Sequence, residues 1–333
     1  MIRCAIVGAS GYTGLELIKL LLTHPHFEIA YLFGSSEDRI ERLYPALKGV
    51  FEKEIVPTNI ELAASCDLVF LALPHKSAME VAKPLLERGV KVVDLSADYR
   101  LRLENYEAFY TTHSDKEHLS SAVYGLPELF REDIEKAQLI ANPGCYPTAT
   151  LLALAPFVPF MEQGAPIVVD AKSGVSGAGK KCKESTHFVQ IDENHFAYTP
   201  ITHRHSIEIK EKLELLAKEA MEVIFVPHLL PVDRGMLVDC YIQLQSALDP
   251  VELLKDFYAN EPFVRIVEEP ARIKNVAGTH FCDIYAQAKG KVVYLSSAID
   301  NLLRGASSQA VANANLLMGL PEETGLPKIA YVP

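Results

Sequence analysis

The 333-residue sequence has no apolar run long enough to cross a bilayer, which argues against a membrane-spanning helix. It also lacks any cluster of lysine or arginine. Acidic side chains outnumber basic ones, 43 to 32, for a net charge of −11, so a nucleic-acid partner is not expected. Cysteine is sparse: Cys4, Cys66, Cys145, Cys182, Cys240 and Cys282 are scattered and form no C-x-x-C pair. Neither a structural zinc site nor a redox dithiol is therefore expected, and free thiols in a chain of this size fit a cytoplasmic setting. The opening residues, MIRCAIVGASG, hold too short an apolar run for a secretory signal. Internal repeats and low-complexity stretches are missing as well. What remains is 49% hydrophobic and 23% charged, ordinary for a globular protein, and long enough for two domains that share a cleft.

The chain opens on an apolar strand, Ile2 to Val7, then a turn carrying Gly8, Gly11 and Gly14, then an amphipathic helix with Leu15, Leu17, Ile18, Leu21 and Leu22. Strand, glycine turn and helix in that order make a dinucleotide-binding unit, although the spacing is G-x-x-G-x-x-G. Backbone N–H groups there can approach a pyrophosphate, and the helix N-terminus favours its charge. Gly8, Ser10, Gly11, Tyr12, Thr13 and Gly14 are the candidate cofactor contacts. A second strand, about Phe27 to Phe33, runs into YLFGSSEDR. A site for unphosphorylated cofactor often carries an acidic residue near that strand end. Here Ser35 and Ser36, with Arg39 nearby, suit a 2′-phosphate and favour NADP(H), while Glu37 and Asp38 in the same loop count against it. Strand, helix and strand alternate again from Leu68 to Leu95, which predicts a parallel sheet with helices on its faces. Pro74 and His75 fall at a strand C-terminal end, where such sheets bind ligands. Residues 101–130 read as irregular.

One cysteine stands in a distinctive setting. In ANPGCYPTATLLALAP, a turn of Asn142, Pro143 and Gly144 precedes Cys145, and Pro147 with an apolar helical pattern follows. Proline suits a first helical turn, so Cys145 is expected at a helix N-terminus. The dipole there favours thiolate over thiol and makes a better nucleophile. Beyond it, a strand from Ile167 leads into AKSGVSGAGKK, where Ser176 and Gly177 either wrap cofactor or substrate or belong to a plain flexible loop. A helix is expected from about Ser206, with His203, Arg204 and His205 at its start. Thiolate chemistry needs a proton carrier near neutrality, and histidine is the natural one. Arg204 suits a carboxylate or phosphate, and no further ligands accompany the two histidines to make a metal site. Asn142, Tyr198, His203 and Arg204 are the candidate substrate contacts, and Asn301 a further cofactor contact. The strands between about Val223 and Ala298 suggest an α+β domain with a mostly antiparallel sheet whose broad face serves self-association.

GASGYTGLEL, DLSADYRL, YGLPEL, NPGCYPT, SGVSGAG, HRHSIEI, PHLLPVDRG and DNLLRGA appear in order along nearly the whole chain. Together they resemble the N-acetyl-gamma-glutamyl-phosphate reductase family, related to the aspartate-semialdehyde and, more distantly, the glyceraldehyde-3-phosphate dehydrogenases. The resemblance implies an α/β fold: a Rossmann-type NADP-binding domain, 1–145 completed by 303–333, and an α+β substrate and dimerisation domain, 146–302. It implies Cys145 as nucleophile, His205 as acid and base, NADPH at Gly8 to Gly14, and a homodimer or homotetramer. The implied reaction is reduction of an acyl phosphate, N-acetyl-glutamyl 5-phosphate, to its semialdehyde in arginine biosynthesis. Aminoadipyl or aspartyl phosphate is the alternative substrate on the same fold, and a non-catalytic NADP-sensing protein the alternative from another class.

Overall fold

A computed structural model describes residues 1–332, which divide into two compact units. The first holds Met1–Pro143 and Ala306–Leu326, and the second holds Gly144–Gly305 and residues 327–332. The tail from 303 onward was expected to stay with the first unit throughout. Residues 303–305 and its last segment instead belong to the second, the last segment because the His280 N–H donates to the Pro327 carbonyl and the Tyr331 N–H to the Ala277 carbonyl.

Eight strands form the sheet of the first unit: β1 (Ile2–Val7), β2 (Phe27–Gly34), β3 (Asp38–Arg39), β4 (Glu54–Pro57), β5 (Leu68–Leu71), β6 (Lys91–Asp94), β7 (Val123–Tyr124) and β8 (Leu139–Ala141). Their order is β3-β4-β2-β1-β5-β6-β8-β7, parallel throughout except for the short β3–β4 pair. All of β5, LVFL, is buried, as parallel strands covered on both faces require. The chain winds one way from β1 to β2 and the other way to β5. The carboxyl end of β1 is therefore the switch point at which such sheets bind ligands. Residues 101–130 are less irregular than their composition suggests. They include the helix Leu103–Phe109, the short helix Lys116–Leu119 and β7. Their aromatic and polar side chains obscure the helical period because several, Tyr106, His113 and Asp115 among them, are buried in a hydrogen-bonded network.

The second unit adds β9 (Ile167–Gly174), β10 (Phe196–Ala197), β11 (Val223–Leu230), β12 (Met236–Gln243), β13 (Val264–Ile266), β14 (Cys282–Lys289) and β15 (Val292–Ile299), in the order β10-β11-β9-β12-β15-β14-β13. Only β9–β11 and β13–β14 are parallel. Alternation along β12 buries Met236, Val238, Cys240 and Ile242 and turns Tyr241 and Gln243 outward. The helix Cys145–Leu154 packs on β12 and β15. From Tyr146 to Leu154 it is buried on every side, which explains its unbroken run of small and apolar residues. No described helix is long and apolar enough to cross a membrane.

Candidate active site

The glycine turn of the first unit uses its glycines for different ends. Gly8 has φ +91°, and a Cβ there would lie 2.2 Å from the Ala72 carbonyl oxygen just beyond β5. A Cβ at Gly14 would lie 2.5 Å from the Gly8 carbonyl oxygen. Both are glycine because the backbone leaves no room. Gly11 differs: its φ is −83°, and a Cβ would meet nothing closer than 3.6 Å. Neither strain nor packing demands glycine at that position, so the space beside it is open to a ligand, as a dinucleotide cradle needs. The Tyr44 hydroxyl donates to the Ser10 carbonyl and the Ser307 hydroxyl to the Thr13 carbonyl. The turn is thereby held from both ends, with Tyr12 opening the helix Tyr12–Leu22.

Beside this turn, the loops after β5 and β6 are bound by buried carboxylates. Asp98 is fully enclosed and accepts the N–H groups of Lys76, at 2.7 Å, and Ala78, at 2.9 Å, and the Tyr106 hydroxyl. Asp94, also enclosed, accepts the N–H and hydroxyl of Ser96. Burial, with repulsion from Asp98 next, pushes the Asp94 carboxyl up to about 7. His75 accepts the Ala97 N–H, and Pro74 stands exposed before it. Asn142, expected as a substrate contact, is engaged by the protein itself. Its side chain is fully buried, donates to the Ala306 carbonyl and accepts from Asn313, and its own carbonyl accepts from Arg100. All these bonds fix the chain just ahead of the cysteine. Ser35 and Ser36 are exposed at the end of β2. Arg39 is already met by carboxylates: it pairs with Glu41 and lies 3.8 Å from Glu54 and 4.0 Å from Glu52.

In the second unit, Cys145 is the first residue of its helix and is partly exposed, with Gly144 as the cap. The Gly144 N–H donates to the Glu208 carboxylate at 2.9 Å. Glu208 lies in the first turn of the helix His205–Ala217, three residues after His205, and so ties the histidine helix to the mouth of the cysteine helix. The Tyr146 ring stands next in the chain to Cys145, 5.7 Å from the His205 ring and 5.9 Å from that of His203. Its hydroxyl is 3.0 Å from that of Tyr198. Burial raises the pKa of both phenols, that of Tyr198 to about 12, so they stay protonated near neutrality. Burial, with the Arg204 charge next, lowers His203 to about 4. The His205 N–H donates to His203 Nδ1 at 3.1 Å, which puts the single proton of neutral His203 on Nε2. His203 is thus fixed and neutral, and it shapes the site around His205. Cys145, distant in sequence, shares one cluster with Tyr198, His203, Arg204 and His205. Arg204 itself is exposed at the cap of the histidine helix.

Two further sets were expected less fully. Ser176, Gly177 and Asn301 do come together: the Asn301 amide donates to the Ser176 hydroxyl at 3.0 Å, and its oxygen accepts the Gly235 N–H at 2.7 Å. Both ends of Asn301 therefore fasten this loop. Gly305 is a residue that sequence reasoning missed. A Cβ there would lie 2.7 Å from Cys145 Cβ. Its N–H donates to the carbonyl of Asp300, whose buried carboxylate accepts the N–H groups of Gly278, Leu302 and Leu303 and pairs with Arg234. Glu208 had a signal in its position one turn from His205. Gly305 had none, because its neighbour lies 160 residues earlier.

Comparisons with known proteins agree with this geometry. Residues 3–137 match the semialdehyde dehydrogenase NAD-binding domain, and residues 145–301 the semialdehyde dehydrogenase dimerisation domain. A nicotinamide dinucleotide cofactor and self-association follow at that level. Among solved structures, the chain is similar in fold to aspartate semialdehyde dehydrogenase II of Vibrio cholerae (TM-score 0.74, 18% identity, 96% of this chain and 98% of that one). It is likewise similar to the aspartate semialdehyde dehydrogenase of Candida albicans (TM-score 0.71, 15% identity, 96% and 98%). Relatives named N-acetyl-gamma-glutamyl-phosphate reductase are much nearer in sequence. That of Sulfurovum sp. is 57% identical over 100% of both chains, that of Wolinella succinogenes 57% over 100% of this chain and 99% of its own, and that of Aquifex aeolicus 43% over 100% and 99%. Matched over its full length to relatives of that name, and in both units to the semialdehyde dehydrogenase domains, this chain belongs to the N-acetyl-gamma-glutamyl-phosphate reductase family of the semialdehyde dehydrogenases.

Proposed function

We propose that this chain reduces N-acetyl-glutamyl 5-phosphate to N-acetyl-glutamate 5-semialdehyde and phosphate with NADPH, a step of arginine biosynthesis in the cytoplasm. The observation that carries the reading is a partly exposed cysteine opening a buried helix, clustered with His205, in a chain 57% identical throughout to reductases named for that substrate. His205 takes the thiol proton as Sγ bonds to the acyl carbon. The bond from that carbon to the phosphate oxygen then breaks, phosphate leaves with the electron pair, and a thioester remains on Cys145. The nicotinamide, when bound, supplies a hydride to the thioester carbon. The carbonyl re-forms as the C–S bond breaks, and His205 returns a proton to the departing sulfur. Pro147 has no N–H, so Cys145 and Tyr146 supply the helix's opening donors, suited to the oxyanion. Arg204, exposed at the rim, suits the substrate carboxylate.

The residues present fit the cofactor. Gly11 leaves open space that packing does not explain, and Ser35 and Ser36 stand at the end of β2 with no acid at the strand end itself. Ser35 and Ser36 also support NADP(H) over NAD(H). For assembly, the outer face of the second sheet carries Tyr241, Tyr294 and Tyr285 in a row, with ring centroids 5.4 Å and 6.3 Å apart. That row supports self-association through this face, as a homodimer or a homotetramer built from it.

The decisive experiment is reverse turnover, with N-acetyl-glutamate semialdehyde, NADP⁺ and phosphate followed as NADPH absorbance. Phosphate-dependent NADPH formation is expected. It should vanish in Cys145→Ala, which should still bind cofactor, and fall roughly a hundredfold to ten-thousandfold in His205→Asn. Turnover retained by Cys145→Ala would sink the thioester route. Silence from folded protein would redirect the assay to the aminoadipyl substrate.

A further inference from the structure

The charge expected to meet a 2′-phosphate, Arg39, is surrounded by Glu41, Glu52 and Glu54. A different cation stands at the carboxyl edge of the same sheet. Lys76 is exposed in the loop after β5 and makes no ion pair with any described residue. Its backbone is in the left-handed region, φ +75°, which a lysine adopts only at a cost. The buried Asp98 carboxylate holds the Lys76 N–H at 2.7 Å and the Ala78 N–H at 2.9 Å and is itself fixed by the Tyr106 hydroxyl. Strain maintained by so many bonds marks a position where the local conformation is useful.

Strand register says what lies across from it. β1 runs between β2 and β5, with Phe33, Val7 and Leu71 abreast. Neighbouring strands are about 4.8 Å apart, so the ends of β2 and β5 are roughly 10 Å apart. A ligand lying across the end of β1 has Ser35 and Ser36 on one side, two and three residues past Phe33. It has Lys76 on the other, five residues past Leu71. In a chain of net charge −11, an unpaired cation on a fixed backbone at this edge is well placed for a phosphate. We propose that Lys76, with Ser35 and Ser36, recognises the 2′-phosphate of the cofactor and sets the preference for NADP(H), a role that Arg39 does not fill. The proposal rests on the NADP(H) reading above.

The test is calorimetric binding of 2′,5′-ADP and 5′-AMP to the full chain, compared among wild type, Lys76→Gly and Lys76→Arg. Glycine accepts φ +75° without strain, so Lys76→Gly removes the charge and leaves the loop intact. It should weaken 2′,5′-ADP binding roughly tenfold to a hundredfold, the usual worth of a charge-assisted contact, and leave 5′-AMP within about twofold. Lys76→Arg should retain most of the wild-type preference. Equal losses for both ligands, or an unmoved 2′,5′-ADP affinity beside an intact wild-type preference, would overturn the lysine assignment alone. A wild-type protein that binds 2′,5′-ADP no better than 5′-AMP would overturn the NADP(H) reading first, and this proposal with it.

Discussion

Around Asp98 in the first unit the central buried groups are carboxylates, and around Tyr146 in the second they are phenols and imidazoles. The first cluster binds loop N–H groups and the hydroxyls of Ser96 and Tyr106. The second keeps its tyrosines protonated and His203 neutral. Each suits the task proposed for it. In the first unit, loops at the sheet's carboxyl edge are anchored from below by buried acceptors. In the second, the nucleophile we propose is framed by groups whose charge stays constant near neutrality, which would leave proton movement to Cys145 and His205.

The contrast is sharpest in its pH dependence. The Asp94 carboxyl, raised from 3.8 to about 7, binds a proton more tightly in the folded state. Its contribution to stability is complete below about pH 4 and is lost as the pH rises through 7, on the order of 4 kcal/mol in all. His203, lowered from 6.5 to about 4, works in the opposite sense. Its contribution is complete above pH 6.5 and is lost as the pH falls toward 4, on the order of 3 kcal/mol. Thermal unfolding of wild type, Asp94→Asn and His203→Gln between pH 4 and 7.5 measures both. Asp94→Asn should gain on wild type as the pH rises, and His203→Gln should gain as it falls. Parallel curves for either variant would remove that cluster from the contrast.

A smaller effect is expected from Gly305→Ala, which tests whether the second cluster is positioned sterically as well. The added methyl meets Cys145 Cβ at 2.7 Å, and overpacking of this kind costs about 1–3 kcal/mol. Iodoacetamide should alkylate Cys145 about tenfold more slowly in the variant, and an unchanged rate would show that the contact relaxes freely. The smallest effect belongs to Arg39→Ala. Two of its three carboxylate partners, Glu52 and Glu54, are at the surface, where ion pairs add little. The melting temperature should stay nearly constant, and the KM for NADPH should move less than in Lys76→Gly. A larger shift would return the 2′-phosphate contact to Arg39.

Much of the architecture was legible because it is local. β1 runs from Ile2 to Val7 as its apolar pattern indicates, and Cys145 opens its helix as the proline two residues later predicts. The alternation of strand and helix was enough to give the parallel sheet. The turn, cysteine and histidine motifs were legible too, since each is a short run of unusual residues. What could not be read was contact at a distance. The position of Glu208 one turn from His205 does not tell that it meets Gly144, and Gly305 looks like an ordinary loop glycine until Cys145 lies against it. Arg39 illustrates the same limit: Glu41 is close to it in sequence, but Glu54 reaches it from the strand that pairs with its own, and Glu52 from just before that strand.

The helix Ser308–Leu317 has every residue buried. Asn313 and Gln309 donate to the Gly125 carbonyl, Lys91 to the Leu317 carbonyl, and Asn315 pairs with His24. A ribosome delivers this helix after every strand of the unit's sheet. The glycine turn and its parallel sheet emerge with part of their interior missing, and they wait through the synthesis of all of residues 144–305 before the gap is filled. The second unit's sheet, continuous in sequence from β9 to β15, has no such wait. On a growing chain the sheet that appears second can therefore close before the interior of the sheet that appears first is filled.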